Sequence, residues 1–148
     1  MKKEIIENIN KNYYEYIFID INKRIICFLK NKNYPIRELI VGIYIGTILL
    51  KSMSINPKIG ILSGGRINDK GRSKDIDRTI EISNSLYYIF LKYGFNVKNH
   101  MILIEDAIKD SNLIIIPDLL SFNFIINTLI NIANFKQLCN IKVLLKYL

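Results

Sequence analysis

Arginines and glycines cluster in one short stretch of the chain, and both residue types suit the binding of an anion. Three of the five arginines fall within thirteen residues, at Arg66, Arg72 and Arg78, although lysine is the commoner cation elsewhere. A guanidinium group is a planar donor that can hold phosphate or carboxylate through two parallel hydrogen bonds. Four of the seven glycines lie in the same region: Gly60, Gly64, Gly65 and Gly71. The pattern predicts an anion-binding loop, with a tight turn carrying solvated arginines as the alternative.

The flanking residues place this loop between a strand and a helix. Residues 58–62 are an apolar run that predicts a buried strand, and Asp75 and Asp77 suit the first turn of a helix. A strand, a glycine-rich loop and a helix start can point backbone N–H groups at a small anion. We therefore expect Ser63, Gly64 and Gly65 to supply N–H and hydroxyl donors. The spacing matches neither a Walker A loop nor the dinucleotide pattern GxGxxG. The three aspartates of this region, Asp69, Asp75 and Asp77, have two interpretations: acid–base or magnesium chemistry, or helix capping and ion pairing.

A second group of polar residues follows the apolar run 113–116. Pro117 ends that run, and Asp118, Ser121 and Asn123 come next. Because the carboxyl ends of parallel strands meet at one edge of a sheet, these side chains should converge with residues 63–78 on one ligand. A helix cap explains Asp118 or Ser121 equally well. The single histidine, His100, has no partner at metal-ligand spacing and is predicted to be structural. No residue stands out as catalytic.

The hydrophobic pattern along the chain alternates between strand-like and helix-like segments. Continuous apolar strands separated by helices predict an α/β fold with a parallel sheet flanked by helices on both faces, in a single domain over residues 1–148. The helix over 36–53 is apolar nearly all round, so we expect it to be buried. The predicted elements are helix 2–14, strand 16–21, a strand or short helix over 24–29, helix 36–53, strand 58–62, helix 75–93, strand 100–104, a short helix or turn over 105–109, strand 113–116, a helix from 118 or 121 to 133, and strand 140–148.

Composition narrows the class of protein. Half of the 148 residues are hydrophobic and 23% are charged, which indicates an ordered domain with a core. The net charge is +8, but the lysines are scattered along the chain, so nucleic acid is not a predicted partner. The uncharged run 39–50 is too short to span a bilayer, and the polar N-terminus is unlike a signal peptide. We expect a cytoplasmic protein without a membrane partner and without a metal. Cys27 and Cys139 are expected to be inert core residues.

Residues 57–130 resemble the methyltransferase-related MtxX family, also called methanogenesis marker protein 4, which is related to phosphate acetyl/butyryl transferases. Several spaced motifs carry the resemblance in the same order. They are the segment 57–66 (PKIGILSGGR), Gly71-Arg72-Ser73, Asp77-Arg78-Thr79, Ile104-Glu105-Asp106-Ala107, and Pro117-Asp118 with Ser121 and Asn123. The resemblance covers about half of the chain, with residues 57–133 as its core; residues 1–56 and 134–148 match poorly.

The resemblance implies a cytoplasmic archaeal transferase with the layered fold of the phosphotransacylases and of isocitrate dehydrogenase. It leaves open whether the reaction is methyl transfer or phosphotransacylase-type acyl transfer, and whether the chain is a non-catalytic binding protein. The implied ligand is a phosphorylated or anionic small molecule such as coenzyme A, or a methyl carrier of the tetrahydromethanopterin type. The resemblance is also compatible with a homo-oligomer.

The chain also departs from the family pattern at two places. Phe122 stands where relatives have glycine between the Ser121 and Asn123 positions, and a bulky residue there hinders close approach of the backbone to a ligand. Residues after 130 lack the family's glycine-rich continuation, in which phosphotransacylases place a Ser-Arg pair and a catalytic Asp. We therefore expect an incomplete version of the fold, shortened at the C-terminus.

Overall fold

The strands and helices follow one another in nearly the order that the hydrophobic pattern predicts. A computed structural model describes residues 13–144. Its elements are β1 (Tyr13–Ile21), β2 (Arg24–Leu29), α1 (Ile36–Ser52), β3 (Ile59–Leu62), α2 (Lys74–Lys92), β4 (Val97–Met101), α3 (Ile104–Asp110), β5 (Leu113–Ile115), α4 (Leu119–Asn127) and β6 (Lys136–Leu144). A 3₁₀ turn spans Ile67–Asp69, and a π-helical turn, Thr128–Ile132, extends α4.

The six strands form one sheet in the order β4-β3-β5-β2-β1-β6. Strands β4, β3, β5 and β2 are parallel, as predicted, whereas β1 runs antiparallel to both β2 and β6. The α/β fold is confirmed, but the sheet is mixed rather than wholly parallel. The reason is the two-residue connection between β1 and β2, where Asn22 and Lys23 have φ angles of 52° and 66°. Positive φ at both central residues is typical of a tight hairpin turn, which can join only antiparallel strands.

The core consists of two layers, one on each face of the sheet. Alternate strand residues belong to different layers, so that Tyr16 and Phe18 pack in the first and Ile17 and Ile19 in the second. Buried residues of α1 and α2 complete the first layer, and those of α3 and α4 complete the second. The prediction that helices cover both faces of the sheet is therefore confirmed.

Helix α1 lies close to the sheet because the helix carries glycines on the face that meets the sheet. A Cβ atom at Gly42 would lie 2.8 Å from Cε1 of Tyr14. The hydroxyl of Tyr14 donates a hydrogen bond of 2.5 Å to the carbonyl of Glu38 in α1. The predicted burial all round this helix is wrong, because only one face meets the sheet. On the opposite face Tyr44 and Ile48 are 52% and 49% exposed.

Several predicted boundaries and positions change. Ile104, predicted to end a strand, instead begins α3, because the chain turns at Met101 with a φ of 58°. Segment 24–29 is a strand, which settles its ambiguity. Cys27 is buried as expected, but Cys139 is exposed on β6. Of the helix predicted over 2–14, residues 13 and 14 belong to β1 and the rest lie outside the described residues. The end of the predicted strand 140–148, residues 145–148, also lies outside them.

Candidate ligand-binding cleft

An open cleft lies where β2, β3 and β5 end. From β3 the chain continues into α2, which packs on the first face of the sheet, and from β5 into α4, which packs on the second. Ligands of open α/β sheets bind outside such a switch point, at the carboxyl ends of the strands. The cleft has a volume of about 460 Å³. It is lined by Asn31, Asn33, Tyr34, Asp75, Arg78, Thr79, Ile82, Pro117, Asp118 and Leu120. It therefore brings Arg78 and Asp118, from the two predicted groups of site residues, to one place.

The wall formed by α2 offers one cation. Ser73 is the N-cap of α2, with its side chain accepting a hydrogen bond of 3.5 Å from the Ile76 N–H, and Asp75 and Asp77 lie in the first turn as predicted. Arg78 follows in the next turn and is exposed to solvent. Among residues 13–144 no hydrogen bond or ion pair engages its guanidinium group. The group is therefore available to an anion in the cleft.

The predicted donors of Ser63 and Gly64 in the glycine-rich loop are engaged inside the protein. The Ser63 N–H donates to the carbonyl of Met101 at 2.7 Å, and its hydroxyl donates to the carbonyl of Gly65 at 2.7 Å. The Gly64 N–H donates to Oγ1 of Thr79 at 2.9 Å. Ligand binding through Ser63, Gly64 and Gly65 stays a prediction, and it requires some of these bonds to open.

Close packing on α2 accounts for the glycines better than presentation of N–H groups does. A Cβ atom at Gly65 would lie 2.9 Å from Cγ2 of Ile76, closer than such atoms approach in folded proteins. One at Gly64 would lie 3.2 Å from Oγ1 of Thr79. In this loop Gly71 is the glycine with a positive φ, 101°. The glycine-rich character thus comes mainly from the contact between the loop and α2.

Arg66 and Arg72 are placed apart from the cleft lining described for residues 13–144. The Arg66 N–H donates to Oδ2 of Asp69 at 2.9 Å. The Arg72 guanidinium lies 3.3 Å from Oδ1 of the same aspartate, with 78% of the Arg72 side chain exposed. Asp77 accepts the N–H of Gly71 at 2.9 Å. Asp69 and Asp77 therefore cap and pair within the loop, which was the alternative to acid–base chemistry.

The second wall uses its polar residues to start α4. Asp118 is the N-cap, and its carboxylate accepts the Ser121 N–H at 2.8 Å and the Ser121 hydroxyl at 3.0 Å. Ser121 is half-buried beside this cap, and Asn123 is exposed outside the cleft lining. Phe122 is 2% exposed and belongs to the second core layer, so its ring points away from the cleft. A role of Ser121 and Asn123 in binding stays a prediction.

Sequence reasoning missed the wall contributed by the segment after β2. Asn31 is buried, and its amide donates to the carbonyl of Pro117 at 2.9 Å while its oxygen accepts the Tyr34 N–H at 3.1 Å. Burial raises the pKa of Tyr34 to about 12, and its hydroxyl donates to the carbonyl of Tyr13. The signal was present: polar residues follow β2 at its carboxyl end, as they follow β3 and β5.

His100, a residue of the edge strand β4, lines a second open pocket. Its Nε2 atom is 3.2 Å from the hydroxyl oxygen of buried Ser111. Burial lowers the pKa of His100, with the nearby carboxylate of Asp110 acting in the opposite direction. A neutral, hydrogen-bonded histidine agrees with the predicted structural role. Among residues 13–144, no group of three or more His, Cys, Asp or Glu side chains could hold a metal ion.

Comparison with known proteins supports the resemblance seen in the motifs. A protein of Methanosarcina barkeri named as a methyltransferase mtx subunit X is 44% identical over 87 residues, which are 59% of this chain and 32% of that protein. A protein of the same name from Methanosarcina acetivorans is 42% identical over 87 residues, covering 59% and 31%. The chain thus matches about a third of the length of these relatives. No protein-family model matches it.

Solved structures share the fold at low sequence identity. A branched-chain phosphotransacylase from Enterococcus faecalis aligns with a TM-score of 0.73 and 12% identity, over 97% of this chain and 60% of that one. A phosphotransacetylase from Staphylococcus aureus aligns with a TM-score of 0.66 and 13% identity, over 88% and 45%. Within residues 13–144 no helix is both long and apolar enough to cross a bilayer. The predicted resemblance to the MtxX proteins and the predicted phosphotransacylase-like layered fold are both confirmed.

Proposed function

We propose that this chain is a methyltransferase-related, MtxX-like transferase of a methanogen, and that its cleft binds a phosphorylated or CoA-like ligand. One observation carries the proposal. Arg78, whose guanidinium group has no hydrogen-bond or ion-pair partner among residues 13–144, lines the cleft at the switch point of the sheet, beside the first residues of α4. Helices α2 and α4 both begin at this edge, and the N-terminal ends of helices favour negative charge.

The other cleft residues favour a phosphate ester over a bare phosphate ion. The carboxylate of Asp118 is engaged in capping α4, whereas Asp75 is exposed on the same wall as Arg78. A free carboxylate repels a small anion but accepts hydrogen bonds from hydroxyl and amide groups. Coenzyme A carries such groups together with its phosphates, so we expect it to bind more tightly than inorganic phosphate.

A second candidate function is that of a phosphate acetyl/butyryltransferase-type acyltransferase, and the shared fold is the observation that favours it. A non-catalytic protein that keeps the cleft is the remaining alternative. A methyl carrier of the tetrahydromethanopterin type would be specific to the first function, and acetyl transfer between acetyl phosphate and coenzyme A to the second, whereas coenzyme A binding by itself is compatible with both.

Thermal unfolding in the presence of ligand tests the site. Inorganic phosphate, acetyl phosphate and coenzyme A would be titrated against the wild type, Arg78→Ala and Lys92→Ala. Lys92 is an exposed cation in the last turn of the same helix, so its variant is the charge-matched control. At a hundredfold excess over Kd, a ligand stabilises the folded state by about 2.7 kcal/mol. We expect the stabilisation in the wild type and in Lys92→Ala and its loss in Arg78→Ala.

The outcomes separate the candidate functions. Equal stabilisation of the wild type and Arg78→Ala would place the site elsewhere, and no stabilisation by any of the three ligands would contradict the proposal. Where coenzyme A binds, acetyl transfer from acetyl phosphate to coenzyme A is assayed directly. Transfer would favour the acyltransferase, and binding without transfer would favour a methyl-transfer or non-catalytic role.

A further inference from the structure

Thr79 lines the cleft, yet its hydroxyl group is already engaged within the protein. Oγ1 accepts the Gly64 N–H at 2.9 Å and donates to the carbonyl of Ile76 at 2.7 Å. A hydroxyl group has a single proton to donate, and here that proton goes to the helix backbone. Thr79 therefore offers no free donor to a ligand. Its polar atom links the loop after β3 to α2.

The link joins the loop after β3 to a residue of α2 that lines the cleft. Gly64 follows Ser63 directly at the end of β3, and Thr79 follows Arg78 in α2. The two residues are so close that a Cβ atom at Gly64 would lie 3.2 Å from Oγ1 of Thr79. The hydrogen bond thus sets the distance between the loop and the part of α2 that carries Arg78.

We infer that Thr79 is a positioning residue of the cleft, which holds residues 63–65 against α2 so that the space beside Arg78 stays open to the ligand. The inference rests on the proposed function, since it concerns the same cleft. A positioning role of Thr79 differs from a purely structural role in one measurable respect. Loss of the hydroxyl group should weaken ligand binding more than it weakens the fold, because the loop is bonded directly to Thr79, which lines the cleft beside Arg78.

The first measurement needs no ligand. Amide hydrogen exchange of Gly64 would be followed in the wild type, Thr79→Val, Thr79→Ala and Thr79→Ser. Valine keeps the shape of threonine without its hydroxyl, alanine provides a second hydroxyl-free variant, and serine keeps the hydroxyl. Loss of one hydrogen bond should speed exchange at Gly64 about fivefold in the valine and alanine variants. The serine variant should exchange at nearly the wild-type rate.

The second measurement is the affinity for coenzyme A, determined by calorimetry on the same four proteins. We expect about a tenfold weaker affinity for the valine and alanine variants, from loss of the bond and displacement of the loop, and recovery with serine. Unchanged exchange at Gly64, or unchanged affinity despite faster exchange, would overturn the inference while leaving the proposed function in place. A wild type that does not bind coenzyme A, phosphate or acetyl phosphate would overturn both.

Discussion

Two of the three walls of the cleft, those of α2 and α4, each consist of a strand end followed by a helix start, but they use their polar residues differently. In the α2 wall the cap is Ser73, and the cleft-lining Arg78 lies five residues further along the chain, with its guanidinium group unpaired within the part of the chain that the structure describes. In the α4 wall the cleft-lining Asp118 is itself the cap and is bonded to Ser121. A polar residue at an N-cap satisfies the helix backbone, whereas one a turn inside the helix is free to meet a ligand.

The largest predicted effect concerns Phe122, which the family pattern suggested would obstruct the ligand. Its ring is buried in the second core layer, so Phe122→Ala should destabilise the protein by about 3–5 kcal/mol. The control is Phe124→Ala on the same helix, where the side chain is 67% exposed and the expected loss is about 0.5 kcal/mol. Urea unfolding measures both. A smaller loss for Phe122→Ala than for Phe124→Ala would mean that the α4 wall presents this ring to the cleft.

The next largest effect is expected at Gly65, and it tests whether the glycines of the loop before α2 are needed for close packing against that helix. Gly65→Ala places a Cβ atom 2.9 Å from Cγ2 of Ile76, and overpacking of this kind destabilises by about 1–3 kcal/mol. Removing the methyl group it meets, in Gly65→Ala/Ile76→Ala, should give a smaller loss than the sum of the two single variants. The unfolding free energies of the wild type and the three variants give the coupling energy. A Gly65→Ala variant as stable as the wild type would favour a glycine kept for its backbone N–H.

Residues close in sequence account for most of what could be predicted. Apolar runs identify β3 and β5, and the cap at Asp118 is visible because the residue precedes an apolar helical pattern. The contacts that define the cleft involve residues far apart in the chain. Gly64 bonds to Thr79 and Asn31 bonds to Pro117, and neither partner can be inferred from local spacing. Such pairings depend on where the sheet places each loop, which a single sequence does not state.

Substitution of Asp118 tests whether the polar residue of the α4 wall stabilises the helix as its N-cap. Asp118→Ala removes the acceptor of the Ser121 N–H and should destabilise by about 1 kcal/mol. Asparagine caps helices about as well as aspartate, so Asp118→Asn should keep the stability. A loss of about 1 kcal/mol corresponds to roughly 2–4 °C in melting temperature for a domain of this size. Equal losses in both variants would show that the charge matters rather than the cap.

The smallest predicted effect is that of Arg72→Ala, and it distinguishes the loop from the cleft. Arg72 pairs with Asp69 at the surface, and 78% of the Arg72 side chain is exposed. Exposed ion pairs contribute about 0.2–1 kcal/mol to the free energy of unfolding. We therefore expect nearly unchanged stability and, because Arg72 is outside the cleft lining, unchanged affinity for coenzyme A. Calorimetric titration of Arg72→Ala beside Arg78→Ala gives the comparison directly. If both variants lose affinity to the same extent, the loop closes onto the ligand, and the anion site includes the loop arginines as the sequence first suggested. If only Arg78→Ala loses affinity, the ligand is bound by the helix rather than by the loop that precedes it.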